Sequence, residues 1–223
     1  MDMVDQLAQA ASDGDAAAAG RLLKKGVVVD ALNSDRCTAL ELAVRRGHSD
    51  VVCLLIGAGA DLEQQAGEYR ELTLLCLAAL QGHTAVVGDL LDAGAHPEAR
   101  SRIGHVPLVL AATAGGEGDP QTVDLLLDRG ADINVVMKDR TPLDWAAGFG
   151  QVQMVRQLLD RGATPTVKSL TIARNQAERR PGNRQKYERI IDALHAAGVT
   201  TGTDHSIRHP CAQQDGREAE NQA

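Results

Sequence analysis

A motif that recurs four times constrains the fold of this chain more than any other feature of its sequence. Each copy begins with a triplet that ends in leucine, and successive copies start 35, 33 and 35 residues apart. A period of this length is typical of proteins that stack similar units, none of which can bury its apolar face alone. The four triplets are Thr38-Ala39-Leu40, Thr73-Leu74-Leu75, Val106-Pro107-Leu108 and Thr141-Pro142-Leu143.

Each copy continues with the same order of local signals. An alanine-bearing segment predicts a thin first helix, a glycine follows it, and a Val/Leu stripe predicts a second helix that closes with a Gly-Ala pair. Thr38 is placed to cap a first helix, with Glu41 completing a capping box, and Pro142 suits a first helical position. The closing glycines suit helix ends that need a positive φ, and they are Gly59, Gly94, Gly130 and Gly162.

The repeated segments resemble ankyrin repeats. The resemblance is clearest in TALELAVRRGHSDVVCLLIGAGADLE (38–63) and TPLDWAAGFGQVQMVRQLLDRGA (141–163), and it is looser over 72–98 and 104–134. It implies an all-α, ankyrin-type helix–turn–helix solenoid of about five to six repeats with capping repeats. The implied domain covers residues 1–199, divided into a capping unit at 1–32, repeats at about 33–65, 66–100, 101–135 and 136–167, and a C-terminal cap at 168–199.

Several segments depart from the repeat pattern. Asp144 stands where the resembled family usually carries histidine, and segment 115–120 (GGEGDP) lengthens one connection between helices. Gly88 and Asp89 interrupt the apolar stripe of one second helix, and Asp89 is expected to face solvent at the edge of that helix. Residues 200–223 have no apolar period and cannot repay the entropy of ordering, so they predict a disordered tail.

The composition argues against several classes of function. Aromatic residues make up 2% of the chain and its net charge is −7, which is unfavourable for single-stranded nucleic acid because its binding uses aromatic platforms and basic grooves. No phosphate-binding, zinc-protease or serine-hydrolase motif occurs, so we expect no enzyme and no cofactor. No apolar run reaches the length of a membrane span, and the spacing of the four cysteines predicts reduced thiols in a cytoplasmic protein.

The histidines give no convincing metal site. His48 and His83 each follow a glycine, and in the resembled family such a pair is structural. His205, His209 and Cys211 are metal ligands by residue type, but their spacing fits no established site. The sequence therefore predicts no bound metal.

Charge is distributed unevenly over the faces that the resemblance implies. In residues 1–166 the turns and first helices carry eight basic and six acidic side chains, whereas the rest of that span carries six basic and 17 acidic ones. Turns and first helices would line a concave groove, so we expect a mildly basic, arginine-rich groove and an acidic back. A second basic cluster on the C-terminal cap is expected mainly to keep the end of the stack soluble, and it contains Arg174, Arg179, Arg180, Arg184, Lys186 and Arg189.

The sequence thus predicts a non-enzymatic protein–protein interaction scaffold. Its groove would bind a folded protein or an extended segment with an acidic surface, because arginine pairs well with carboxylates. Neither nucleic acid nor a membrane is an expected partner, and a monomer is expected. Tyr69 and Phe149 would anchor apolar contact, while Trp145 would pack in the core. The predicted contact residues are Arg36, Arg45, Arg46, Tyr69, Arg70, Arg102, His105, Lys138, Arg140 and Phe149.

Alternative functions stay open at the level of sequence. One is a dedicated inhibitor or antidote that occludes an enzyme with the groove or with the 115–120 loop. Another is a secreted bacterial effector module. A metal-dependent or enzymatic activity housed in residues 200–223 is a third, and nucleic-acid binding is the weakest because the acidic back would repel phosphate.

Overall fold

A computed structural model describes residues 2–66 and 71–200 of the 223-residue chain. Within these residues twelve α-helices form six consecutive pairs, which confirms the predicted all-α solenoid. The first helices form an inner layer of α1 (Met3–Asp13), α3 (Ala39–Arg46), α5 (Leu74–Gln81), α7 (Pro107–Thr113), α9 (Pro142–Phe149) and α11 (Val167–Arg179). The second helices form an outer layer of α2 (Ala16–Lys24), α4 (Ser49–Gly57), α6 (Thr84–Asp92), α8 (Pro120–Asp128), α10 (Val152–Asp160) and α12 (Arg184–Ala196).

Each inner helix packs against the inner helix of the next pair and against its own outer helix. Small side chains make this close approach possible, since Ala43, Ala78, Ala111 and Ala146 on successive inner helices are all fully buried. The Val/Leu stripes of the outer helices face the same core and are buried with them. The core is therefore a continuous apolar layer that runs along the stack between the inner and outer helices.

Four turn segments, here called fingers, connect an outer helix to the next inner helix. Finger 1 covers residues 28–37, finger 2 covers the described residues 61–66 and 71–73, finger 3 covers 96–105 and finger 4 covers 132–140. Finger 2 contains the antiparallel strands β1 (Gln65–Ala66) and β2 (Leu72–Thr73), paired Gln65 to Thr73 and Ala66 to Leu72.

Threonine caps begin most inner helices, as the triplets predict. The side chains of Thr38, Thr73 and Thr141 each accept a hydrogen bond from the backbone three residues on. Asp144 completes a capping box with Thr141 and also accepts a hydrogen bond from Ser169 Oγ at 2.6 Å. The departure at position 144 is thus a buried polar link between α9 and α11.

Polar contacts of one kind fasten four of the five later helix pairs to the pair before them. A side chain at or near the start of an outer helix bonds to a backbone carbonyl at the end of the preceding inner layer segment. His48 and His83, expected to be structural, both belong to this series. The contacts join His48 Nε2 to Ser12 O (3.0 Å), His83 Nε2 to Arg45 O (3.1 Å), Gln151 Nε2 to Gly116 O (2.9 Å) and Tyr187 OH to Gly148 O (3.4 Å).

The lengthened connection at 115–120 is built into the stack. A 3₁₀ turn spans Ala114–Gly116, and Asp119 Oδ2 accepts hydrogen bonds from Thr84 Oγ1 and Thr122 Oγ1. A Cβ at Gly118, where φ is +81°, would lie 2.6 Å from both Ala112 O and Met154 Cε. The loop is therefore packed against neighbouring repeats.

The expectation for Asp89 was wrong. Its carboxylate accepts a hydrogen bond from Ser49 Oγ of the preceding repeat, and the residue is half-buried. The interruption at 88–89 therefore places a polar link between α4 and α6.

The C-terminal pair α11 and α12 is joined by a 3₁₀ turn at Pro181–Asn183. Two of its basic residues form ion pairs, Arg184 with Glu188 and Lys186 with Glu117. Among the described residues, no helix combines the length and the apolar character needed to cross a lipid bilayer. The predicted tail lies outside the described residues from position 201 onward.

Candidate partner-binding groove

The exposed sides of the inner helices and of the fingers form one candidate surface, here called the groove face. Sequence reasoning placed ten contact residues on it. The structure describes eight of them, whereas Tyr69 and Arg70 lie outside the described residues. The eight differ in exposure and in the partners that they already have.

The fingers use two kinds of turn. In fingers 1 and 3 a three-residue loop is closed by Asn33 N to Cys37 O (3.0 Å) and by Ser101 N to His105 O (2.9 Å). The last loop residue has a positive φ in both, +62° at Arg36 and +77° at Gly104. Arg36 thus occupies a backbone conformation that favours glycine. This conformation costs a residue with a side chain about 1–2 kcal/mol.

Finger 4 has a tighter turn with the same property. Met137 and Arg140 form a two-residue hairpin, and both central residues have positive φ, +49° at Lys138 and +60° at Asp139. A hairpin of this type normally carries Asn-Gly or a similar pair. Arg36, Lys138 and Asp139 are the non-glycine residues with positive φ in the described part of the chain, and all three lie at fingertips.

The N-terminal part of the groove face has its own acidic groups. Arg45 pairs with Glu41 at 2.5 Å, and Glu41 is almost fully buried. Arg46 is exposed and lines a depression of about 330 Å³ that Asp5 and Asp35 also line. A hydrogen bond from the Ser34 backbone lowers the pKa of Asp5, which keeps this carboxyl charged. Arg45 is therefore partly neutralised, and Arg46 sits in a mixed-charge depression.

The C-terminal part of the groove face combines a cation with aromatic rings. Trp145 and Phe149 lie one turn apart on α9 with ring centroids 5.9 Å apart and planes 21° from parallel. The guanidinium carbon of Arg140 lies 5.0 Å from the centroid of the Trp145 ring, within cation–π range. Trp145 Nε1 donates to Met137 O at 3.2 Å, which fixes the orientation of the indole.

Sequence reasoning was incomplete for Trp145. It packs against the core as expected, but it is only half-buried and shares the groove face with Phe149, which is 52% exposed. The signal that could have found it is the four-residue spacing from Trp145 to Phe149, which puts both rings on one face of a helix.

Fingers 3 and 4 bring three further predicted residues together. Arg102 is exposed, and its backbone N–H donates to Glu71 O at 3.0 Å. His105 is half-buried, and its buried Nδ1 has no hydrogen-bond partner among the residues that the structure describes. Burial and the nearby Lys138 lower the pKa of His105, while Glu71 opposes the shift. This imidazole is therefore biased toward its neutral form.

Arg129 and Arg161 of the outer face pair with carboxylates, whereas Lys25 and Arg156 of that face form no ion pair within the described residues. Arg129 bonds to Asp92 at 2.5 Å, and Arg161 bonds to Asp124 at 2.9 Å and to Asp128. Each pair links one outer helix to the preceding one. On the groove face, no side chain in the described residues forms an ion pair with the unpaired groove cations, which are Arg46, Arg102, Lys138 and Arg140.

The described residues offer no metal centre, since no three His, Cys, Asp or Glu side chains cluster there. His205, His209 and Cys211 lie outside the described residues. The groove face therefore presents hydrogen-bond donors, positive charge and aromatic surface, which are groups suited to binding.

Comparison with known proteins agrees with this architecture. A family model described as ankyrin repeats in three copies matches residues 5–66 and 68–169. Palmitoyltransferase ZDHHC13 of Homo sapiens is 40% identical over 153 residues, covering 66% of this chain and 24% of the relative, and the Danio rerio protein is 33% identical over 146 residues. This chain thus spans about a quarter of the length of these relatives.

A solved structure shows the same fold. The crystal structure of the human ASB11 ankyrin repeat domain superposes with a TM-score of 0.71 at 25% sequence identity. The match covers 87% of this chain and 84% of that one. The resemblance inferred from the repeated segments is thereby confirmed.

Proposed function

This chain belongs to the ankyrin-repeat family, and on that premise we propose that it is a non-enzymatic scaffold that binds a protein partner with an acidic surface or segment along the groove face. Ankyrin repeats generally serve protein–protein interaction. Fold alone does not choose the partner, because specificity lies in surface side chains. The proposal therefore depends on what this groove face presents.

The observation that carries the proposal is the group of unpaired groove cations. The chain has a net charge of −7, and Asp and Glu outnumber Lys and Arg by 30 to 23, so carboxylates for pairing are abundant. Arg129 and Arg161 on the outer face do pair with them. Arg102, Lys138 and Arg140 have no ion-pair partner in the described part of the chain. These groups are available for a partner's carboxylates.

The strained fingertips support the same surface. Arg36 and Lys138 have positive φ angles that glycine would adopt at lower energetic cost. Both side chains are exposed, so burial does not explain why these positions are not glycine. Backbone strain of this kind is a reason to look for function at the residue that shows it. We propose that these basic side chains are retained at the fingertips for contact with the partner.

The relatives support the proposal only through their ankyrin repeats. ZDHHC13 is named a palmitoyltransferase, but this chain matches only 24% of it, and the match is to ankyrin repeats. The proposal therefore does not include palmitoyl transfer. A monomer in the cytoplasm completes the proposal, and the free thiols of Cys53 and Cys76 agree with a reducing compartment.

The test compares charge reversal on the two faces. A partner captured from the source cell is titrated against wild type, against the groove variant Arg102→Glu/Lys138→Glu, and against the outer-face variant Lys25→Glu/Arg156→Glu. All four residues are exposed and without ion-pair partners in the described residues. The two variants carry the same net charge, so their difference reports position and not total charge.

We expect the groove variant to bind about 100-fold more weakly, since two favourable charge contacts become repulsive. The outer-face variant should bind within about threefold of wild type. Equal binding by all three proteins would overturn the proposal. Thermal unfolding of each variant checks that the stack is intact.

An inhibitor that occludes an enzyme is the alternative that uses the same surface. The 115–120 loop is not favoured as the occluding element, because Gly116 O accepts from Gln151 and Gly118 packs on Ala112 and Met154. An inhibitor would therefore act through the groove face. Loss of inhibition in the groove variant, with shortened-loop variants misfolding, is the expected pattern for that function.

A further inference from the structure

Arg140, Trp145 and Phe149 form a preorganised platform at the C-terminal end of the groove face. Trp145 is held by its hydrogen bond to Met137 O and stacks with Phe149. The guanidinium of Arg140 lies over the indole ring. Rigid aromatic surface of this kind loses little entropy when it is covered, which is why such residues dominate binding energy at interfaces.

Gly148 lies close to Arg140 of the platform and to Ile172 of α11. A Cβ at this position would lie 3.3 Å from Ile172 Cγ2 and 3.7 Å from Arg140 Nη1. The corresponding position in the three preceding repeats is filled by Arg45, Leu80 and Thr113. Of these four repeats, the one that carries the aromatic pair has glycine there, and because Gly148 is buried a larger side chain would press on Ile172.

The cation on this platform lacks a carboxylate within the described residues. Asp144, the acidic residue closest to Trp145 in the sequence, is 2% exposed, and its oxygens accept from Thr141 N and Ser169 Oγ. Asp139 lies beside Arg140 on the fingertip but forms no ion pair with it. The guanidinium therefore keeps its outward N–H groups for an acceptor that another molecule supplies.

We propose that this platform recognises a peptide segment of the partner in which an acidic residue adjoins a large apolar residue. The carboxylate would pair with Arg140, with Lys138 adding positive charge in the same finger. The apolar side chain would lie on Phe149, which is 52% exposed, and on the open edge of Trp145. This inference rests on the proposed function and names the chemistry of the segment that the groove face binds.

The test selects ligands without assuming a natural partner. A phage-displayed library of random 12-residue peptides is panned in parallel over the full wild-type chain, Arg140→Gln, Phe149→Ala and the matched control Arg156→Gln, an exposed outer-face arginine. Wild type and Arg156→Gln should enrich peptides with Asp or Glu next to Phe, Leu, Ile or Trp. Arg140→Gln should lose the acidic preference, and Phe149→Ala should lose the apolar preference.

The strongest peptide is then measured in solution by tryptophan fluorescence. Trp145 is the one tryptophan of the chain, so the signal reports this platform alone. We expect about tenfold weaker binding for Arg140→Gln, and about tenfold weaker binding when the acidic residue of the peptide becomes its amide. Because both changes remove the same contact, the Arg140→Gln variant should bind the amide peptide no more weakly than it binds the acidic peptide. Arg140→Lys should bind with intermediate affinity, since it keeps charge but not the planar fork.

Several outcomes would overturn the inference. Full additivity of the two changes shows that Arg140 and the peptide carboxylate do not meet. Peptides that depend on Arg102 and Lys138 but not on Arg140 or Phe149 leave the proposed function intact and refute the platform. Failure of every peptide to enrich also refutes the platform, whereas the charge-reversal test with a captured partner judges the proposed function separately.

Discussion

Arginines on the two faces of this solenoid have contrasting surroundings. On the outer face Arg129 and Arg161 connect one repeat to the preceding one through carboxylates. On the groove face Arg102 is exposed without an ion-pair partner in the described residues, and Arg140 rests on an aromatic ring. These two outer-face arginines join neighbouring repeats, whereas we propose that the groove-face cations bind another molecule.

The backbone shows the same contrast. After every outer helix the residue with positive φ is glycine, which adopts that conformation without a steric penalty. At the tip of finger 3 it is also glycine, Gly104, but in fingers 1 and 4 positive φ angles are held by Arg36, Lys138 and Asp139. We propose that these two fingertips trade stability for side chains that contact the partner.

The largest effect is expected from two leucines of one repeat. Leu90 on α6 is fully buried, whereas Leu80 on α5 is 40% exposed on the groove face. Leu90→Ala should lower the free energy of unfolding by about 3 kcal/mol, because it leaves a cavity in the continuous core. Leu80→Ala should lower it by less than about 1 kcal/mol. Urea denaturation of the two variants measures the difference.

Similar losses of unfolding free energy in Leu90→Ala and Leu80→Ala would contradict the contrast between the buried core and the groove face. Such a result would mean that the exposed surface of the inner helices stabilises the fold as much as the core does, and is not a surface kept for binding. A control for helix propensity is unnecessary, since both changes introduce alanine into a helix.

The fingertips give a smaller and opposite effect on stability. Arg36→Gly removes a steric cost of about 1–2 kcal/mol and adds chain entropy to the unfolded state, so a net stabilisation of about 0.5 kcal/mol is expected. The same variant should bind the partner more weakly, because a groove cation is lost. Asp139→Gly relaxes finger 4 in the same way but removes no cation, and it should stabilise without weakening binding.

Denaturation and partner titration on the same samples measure both properties of these fingertip variants. Reduced stability in both would show that the residues are held by favourable contacts and not by strain. Weaker binding by Asp139→Gly together with unchanged binding by Arg36→Gly would contradict the contact role given to the fingertip cation.

The smallest effect concerns pH. Burial and Lys138 lower the pKa of His105 in the folded chain, while the unfolded value stays near 6.5. The unfolded chain then binds a proton more readily, so the free energy of unfolding should fall as pH drops below about 6.5. Lys138→Gln should raise the pKa of His105 and reduce this loss. Titration of the His105 imidazole by NMR measures the shift, and an unchanged pKa in the variant would remove Lys138 as a cause.

The repeat architecture was predictable from sequence because its signals are local. Thr38, Thr73 and Thr141 cap helices through atoms three residues away, and the closing glycines set the helix ends. Each signal is complete within one repeat. Asp89 was misjudged because its partner, Ser49, lies 40 residues earlier, and no pattern within the repeat points to it.

The candidate site was predictable only in outline. Sequence reasoning placed Arg140 and Phe149 on the groove face, but it could not tell that Arg45 is paired with a buried Glu41 while Arg140 has an aromatic ring as its neighbour. It also expected Trp145 only in the core, because a single large side chain at a helical position does not reveal how much of it the next repeat covers.

The sequence by itself determined the period, the helix boundaries and the uneven distribution of charge, since these depend on neighbours within a few residues along the chain. The tertiary structure alone decided which arginines are paired, which fingertip residues carry positive φ and where two rings meet a cation. These properties depend on contacts between residues about one repeat apart, such as Arg161 with Asp124, or on the exact course of a turn. Stacking creates such contacts, and a single repeat does not contain them.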